Sequence, residues 1–226
     1  MTKKKKKIDK YALIYGLKEK LTDEQEVMID SILNNRLTMV NASAGSGKTT
    51  IAVAIAKYLY ESEGQRLTYV FSPVQERSMG FRPGTQEEKE LEYLQPLVDA
   101  LMECGEQNVK EIIESNTELY SKPRAWIEAK SHIFVRGTNL KGRTVIIDEA
   151  QNFTRGDLKK LLTRIHDDCT VIMIGHTGQC DLPNPSKSGF APYINHFKDE
   201  PYAQELRLTQ NFRGVLSRKA DELEWE

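Results

Sequence analysis

Cysteine is scarce, with three residues at positions 104, 169 and 180 of a 226-residue chain. Such wide spacing gives neither a disulfide framework nor a zinc pattern, and the four histidines add no metal-ligand cluster. Long apolar runs are missing too; none approaches the roughly 20 residues of a membrane-spanning helix. Net charge is only -1, so the chain is not a basic nucleic-acid binder overall, and any such site must be a local patch. The start "MTKKKKKIDK" carries charge, but "YALIYGLKEK" is too short and too charged to be the apolar core of an export signal. These shortages point to a reducing, cytoplasmic setting. No internal repeat is visible.

What is present suits one globular domain with a sizeable core. Residues 1–20 read as a basic, flexible segment: either a solvated tail or an arm that adds non-specific nucleic-acid affinity. Residues 21–226 read as a single domain. "LTDEQEVMIDSIL" predicts a helix, with Thr22 as N-cap and Gln25 completing a capping box. "LTMVN" predicts a core strand, and the helix after it buries Ile51, Ile55 and Leu59 at a spacing of four. "RLTYVFSP", "SHIFVRG", "RTVIIDEAQN", "CTVIMIGH" and "QELRLTQNFRG" supply further strands, and "DLKKLLTRI" a helix. Residues 76–125 form an acidic helical excursion, with Leu91, Leu94, Leu97, Val98 and Leu101 at helical spacing and Pro96 as a kink or break. Short apolar strands alternating with helices predict an α/β fold, a mostly parallel sheet with helices on both faces. Ligands of such sheets bind beyond the carboxyl ends of the strands.

The chemistry gathers at those ends. "NASAGSGKTT" joins the first strand to a helix, the layout of a phosphate-binding P-loop. Gly45 and Gly47 allow backbone N–H groups to approach phosphate oxygens, with Ser43, Ala44 and Ser46 completing the loop. Lys48 reaches the β- and γ-phosphates of a nucleotide, Thr49 offers a hydroxyl to Mg²⁺, and Thr50 follows at the helix start. Ala42 stands where the strict pattern has its first glycine, which is tolerable at negative φ. Asp148 and Glu149 end a buried strand; Asp148 suits holding Mg²⁺ and Glu149 suits activating water, which implies hydrolysis. Gln179 either senses the γ-phosphate or orients water, or is a turn residue. Arg213 either stabilises charge on the transferring phosphoryl group or lies at the surface. Gln25 either caps its helix or reads adenine with its amide. Arg77, Phe81, Arg82, Arg124, Trp126, Arg136 and Lys141 could together track and stack single-stranded nucleic acid, although each alone fits a solvated or packing role.

Together these stretches resemble the PhoH-like family of P-loop ATPases, which is similar to the first RecA-like domain of superfamily 1 helicases. The segments that carry the resemblance are "SAGSGKT", "GFRPGTQEEKELEYLQPLVDAL", "FVRGTNLKGRTVIIDEAQN" and "GQCDLP" followed by "SGF". "LTDEQ" resembles a helicase Q motif, and "LTQNFRG" the motif that supplies a phosphate-sensing Arg. The resemblance implies ATP hydrolysis with Mg²⁺, coupled to single-stranded RNA or DNA, and a homo-oligomer, ring-like, in which one subunit's Arg completes its neighbour's site. Two departures concern coupling more than nucleotide binding. His176 stands where the family usually has the Asp of a "GD" pair, and Gly178 replaces a common Thr. The competing expectation is a non-catalytic module that binds ATP as a switch.

Overall fold

The computed structural model describes residues 21–73, 93–115, 123–135 and 137–221. The lysine-rich start, residues 74–92 with "GFRPGTQEEK", and Leu91, Arg77, Phe81, Arg82 and Arg136 lie outside them.

The described residues open with α1 (Asp23–Asn34), β1 (Leu37–Ala42), α2 (Lys48–Glu63) and β2 (Leu67–Phe71). Then come α3 (Gln95–Glu103), the one-turn α4 (Val109–Ile112), β3 (Ile113–Ser115), β4 (Ile127–Ser131) and β5 (Thr144–Ile147). The chain continues through α5 (Arg155–Leu162), β6 (Thr170–Gly175), α6 (Phe190–Phe197), β7 (Ala203–Leu208) and α7 (Val215–Asp221). The seven strands form one sheet in the order β3-β4-β2-β5-β6-β1-β7, and every pairing is parallel.

The strands alternate between two buried layers, as the period of two requires. Val40, Tyr69, Phe71, Ile146, Ile172 and Ile174 face α1, α2 and α3. Met39, Val70, Val145, Ile147, Val171 and Met173 face α5 and α6. The middle of α2 is buried almost all round, from Ile51 to Ala56 and at Leu59. Its neighbours explain this, since α1, α3 and the sheet all belong to the same apolar layer. Alanines at 52, 54 and 56 let those neighbours come close. Among the described residues no helix is long and apolar enough to cross a membrane.

α1 has the expected capping box: Thr22 accepts from Gln25 N, and Gln25 Oε1 accepts from Thr22 N at 3.1 Å. Pro96 marks the expected break: Tyr93 is helical, Leu94 is a turn residue, and α3 starts at Gln95 with Pro96 in its first turn, where the missing N–H costs nothing. Elsewhere the structure corrects the sequence reading. The "excursion" is not wholly helical, because Ile113–Ser115 adds an edge strand parallel to β4. "SHIFVRG" is not a strand: β4 is the preceding "IEAKS", with Ile127, Ala129 and Ser131 buried, and His132–Val135 is a 3-10 turn. Only three residues face inward there, and two of them are not large hydrophobics, so the apolar signal is weak.

Candidate nucleotide site

The order of strands sets the geometry of the site. β6 separates β1 from β5, so the loop after β1 and the acids after β5 emerge about 10 Å apart, two strand spacings. A phosphate group fits between walls that far apart.

On one side stands the loop of residues 43–47. Ala42 ends β1 with 2% exposure and packs into the core. It is not among the positive-φ residues, which is why a Cβ is accepted there. Gly45 and Gly47 adopt left-handed φ of 75° and 76°. A Cβ on Gly45 would meet Arg213 Cγ at 2.7 Å, and one on Gly47 would meet Gln25 Nε2 at 3.1 Å. The glycines therefore supply the left-handed turn, and the space they leave is taken by protein side chains. α2 then begins at Lys48 with no side-chain cap and no acid in its first turn. By contrast, α1 opens with Asp23, Glu24 and Glu26. The opening N–H groups of α2 and the positive end of its dipole are thus left for an external anion. Ser46 Oγ is buried and has no hydrogen-bond partner among the described residues. The side chain of Thr50 turns elsewhere, donating to Glu103 at 2.6 Å, so Thr50 has only its backbone N–H to offer a phosphate.

On the other side is Asp148, 1% exposed. It accepts hydrogen bonds from the Tyr69 hydroxyl, from Glu149 N at 2.8 Å and from Thr49 Oγ1 at 3.5 Å. Burial, and next the neighbouring Glu149 carboxylate, push the Asp148 carboxyl up to about 6. The Tyr69 hydroxyl, the Glu149 N–H and the Lys48 charge hold it down. Burial and then Asp148 raise the Tyr69 phenol well above its ordinary value. Glu149 is exposed, and among the described residues it is the one non-glycine with positive φ, 49°. Such backbone costs of order 1 kcal/mol or more, and here it turns the carboxylate out at the mouth of the strand.

The loop after β6 lies between the two sides and is tied to both. Asn41 at the end of β1 donates to Thr177 Oγ1 at 3.0 Å and accepts from Thr177 N at 3.1 Å. Asn152 and Asp181 exchange two hydrogen bonds of 2.9 and 2.8 Å. Gln151, 2% exposed, accepts from His176 N at 3.0 Å and donates to Glu149 Oε2 at 2.5 Å. A cavity of about 730 Å³ opens here, with Glu149, Thr177, Gln179 and Asp181 in its wall. Gln179 is exposed within it, its N–H bonded to His176 O at 3.2 Å.

Arg213 lies against its own chain's loop, at Gly45, and Phe212 N donates to Gly45 O at 2.9 Å. Gln25 has its amide engaged on both sides, with Nε2 donating to Ser46 O at 3.0 Å. It acts as a cap and a loop support together. The structure removes Trp126 from the base-stacking set: it is 4% exposed and stacks on Tyr60 at 4.9 Å. Arg124 pairs with Glu111 at 3.1 Å. Arg124 and Lys141 precede β4 and β5, at the opposite end of the sheet from the site. Tyr69, Gln151, Asn41 and the Asn152–Asp181 pair escape the sequence reading. Gln151 and Asn152 are visible there as the polar tail of "DEAQN", but nothing marks Tyr69 beyond its place in a strand.

The chain is similar to known proteins over most of its length. The family model described as "PhoH-like protein" matches residues 18–220. Protein PhoH2 of Bacillus subtilis (strain 168) is 30% identical over 93% of this chain and 48% of its own length. Protein PhoH of Escherichia coli (strain K12) is 30% identical over 80% of this chain and 50% of its own. The chain thus spans about half the length of the curated relatives it matches. Among solved structures, the UvsW helicase from bacteriophage T4 superposes with a TM-score of 0.56 at 13% identity, over 86% of this chain and 63% of that one. The large terminase of a thermophilic bacteriophage, in complex with ADP, gives 0.56 at 12% identity, over 89% and 49%. These likenesses bear on fold alone, and the fold is the RecA-like α/β fold of P-loop NTPases. With that fold, an uncapped helix behind a glycine loop and a buried acid opposite it, the chain belongs to the PhoH-like protein family.

Proposed function

We propose that the chain binds ATP with Mg²⁺ and hydrolyses it, and that hydrolysis is coupled to single-stranded nucleic acid, RNA in preference to DNA, in a homo-oligomer. The observation that carries the reading is the approach of Thr49 Oγ1 to Asp148 at 3.5 Å, which brings the start of α2 and the acid pair to one point. The loop N–H groups and Lys48 would hold the β- and γ-phosphates. Thr49 and Asp148 would hold Mg²⁺, and two protein oxygens suit an ion that keeps phosphate oxygens and waters as its other ligands. Bound Mg²⁺ would neutralise charge on the phosphates. Glu149 would take the proton of the attacking water. Arg213 rests on its own subunit's loop, which favours a charge supplied within the chain over one supplied by a neighbour.

The test is phosphate release with Mg²⁺, measured alone and with single-stranded RNA or DNA oligonucleotides, alongside light scattering to size the particle. Release should rise with RNA and fall at least about 100-fold in Lys48→Ala. Absence of release under every nucleic acid would defeat the reading. A second reading, an ATP-binding switch without turnover, draws on the Glu149 carboxylate being engaged by Gln151. It expects tight ATP binding by calorimetry, no turnover, and unchanged behaviour in Glu149→Gln.

A further inference from the structure

We propose that Gln151 is the positioning residue that ties Glu149 to the loop after β6, so that the conformation of that loop sets the reach of the carboxylate. This rests on the hydrolytic reading above. The primary amide of Gln151 is engaged at both ends, one on Glu149 and one on the loop after β6. Its Nε2 donates to Glu149 Oε2 at 2.5 Å, and its Oε1 accepts from His176 N at 3.0 Å. The side chain is 2% exposed and stands in the wall of the same cavity as Glu149, so both hydrogen bonds are made beside that opening. Glycine at 175 keeps the amide where it is, because a Cβ there would lie 2.5 Å from Gln151 Oε1 and 3.0 Å from Phe190 Cε1. Glu149 is the opposite kind of group: exposed and on left-handed backbone.

The loop at the other end borders the cavity of about 730 Å³ that Glu149 itself lines. A polymer or ligand entering that cavity meets Thr177, Gly178 and Gln179. Any shift they pass to His176 N reaches Gln151 Oε1 first. The amide is planar and rigid, so a displacement at its oxygen moves its nitrogen with it. Through one buried side chain, occupancy of the cavity is conveyed to the group that would orient water. The departure at His176 leaves this link intact, because the link uses the backbone N–H of that residue and not its imidazole.

Two measurements test the link, one of them independent of turnover. The first is hydrogen exchange of the His176 amide in the nucleotide-free protein. Glu149→Ala removes an exposed carboxylate, frees Nε2 and should speed that exchange about tenfold. Gln151→Met should speed it at least as much, while Lys48→Ala should leave it at the wild-type rate. A His176 amide that exchanges at the wild-type rate in Glu149→Ala overturns the proposal. The second is steady-state hydrolysis. Gln151→Met should lower kcat about tenfold or more and abolish stimulation by an RNA oligonucleotide, with ATP affinity within about twofold of wild type. Retention of both kcat and stimulation overturns the proposal. If the wild-type chain releases no phosphate, the hydrolytic reading fails, and the exchange measurement still decides whether the two ends are linked.

Discussion

At the scale of single residues, Asp148 shows what the site costs. Its carboxyl is raised from an ordinary 3.8 to about 6 by burial and then by Glu149, so ionising it works against the fold. For a carboxylate raised in this way, stability is fullest below the unfolded value. It falls as pH rises from about 3.8 toward about 6, and the full cost is present above that. A rise of that size corresponds to about 3 kcal/mol. Asp148→Asn should therefore stabilise the nucleotide-free protein by about 1–3 kcal/mol at pH 8, with the gain fading near pH 4. Urea denaturation at the two pH values checks this; an equal gain at both would contradict it. The positive φ of Glu149 is a cost of the same kind in backbone form.

At the scale of elements, α1 and α2 divide the work of the loop. α1 closes its own N-terminus with a capping box and then extends Gln25 to Ser46 O. α2 leaves its N-terminus open. Thr22→Ala should cost about 1 kcal/mol through the lost cap, and it should also weaken nucleotide binding because Gln25 loses its anchor. Equilibrium denaturation and calorimetry measure the two effects. A stability loss with unchanged affinity would separate the cap from the loop. On the far edge, Trp126 holds β4 to α2 through Tyr60. Trp126→Ala should cost about 3–5 kcal/mol as a core truncation, while any nucleic-acid affinity of the folded fraction should stay unchanged. A selective loss of that affinity would restore Trp126 to a surface role.

For the whole molecule, the parallel sheet brings every strand's carboxyl end to one side, and the site is assembled there from β1, β2, β5, β6 and the loop after β7. Binding at such a junction should stabilise the entire domain. With a non-hydrolysable ATP analogue and Mg²⁺ at 100 times the dissociation constant, the gain should be about 2.7 kcal/mol. Lys48→Ala should remove it, and a melting curve that does not respond to the analogue in the wild type would contradict the junction as the binding site.

The local parts are legible in short stretches of the chain. The loop, the acid pair, the capping box and the alternation of apolar strands with helices are each written in fewer than about twenty consecutive residues. Their chemistry depends on backbone conformation and side-chain type at short range. The three-residue β3 and the sparsely apolar β4 fell below that signal, and the role of Pro96 depended on where α3 starts. Which groups meet depends instead on how the strands are arranged in space. Tyr69 reaches Asp148, Asn41 reaches Thr177, Arg213 lies on Gly45 and Gln151 joins Glu149 to His176. Three of these pairs join segments far apart in the chain, and the Gln151 link joins β5's end to β6's. No local pattern encodes such pairings, because they follow from the order in which the strands sit in the sheet.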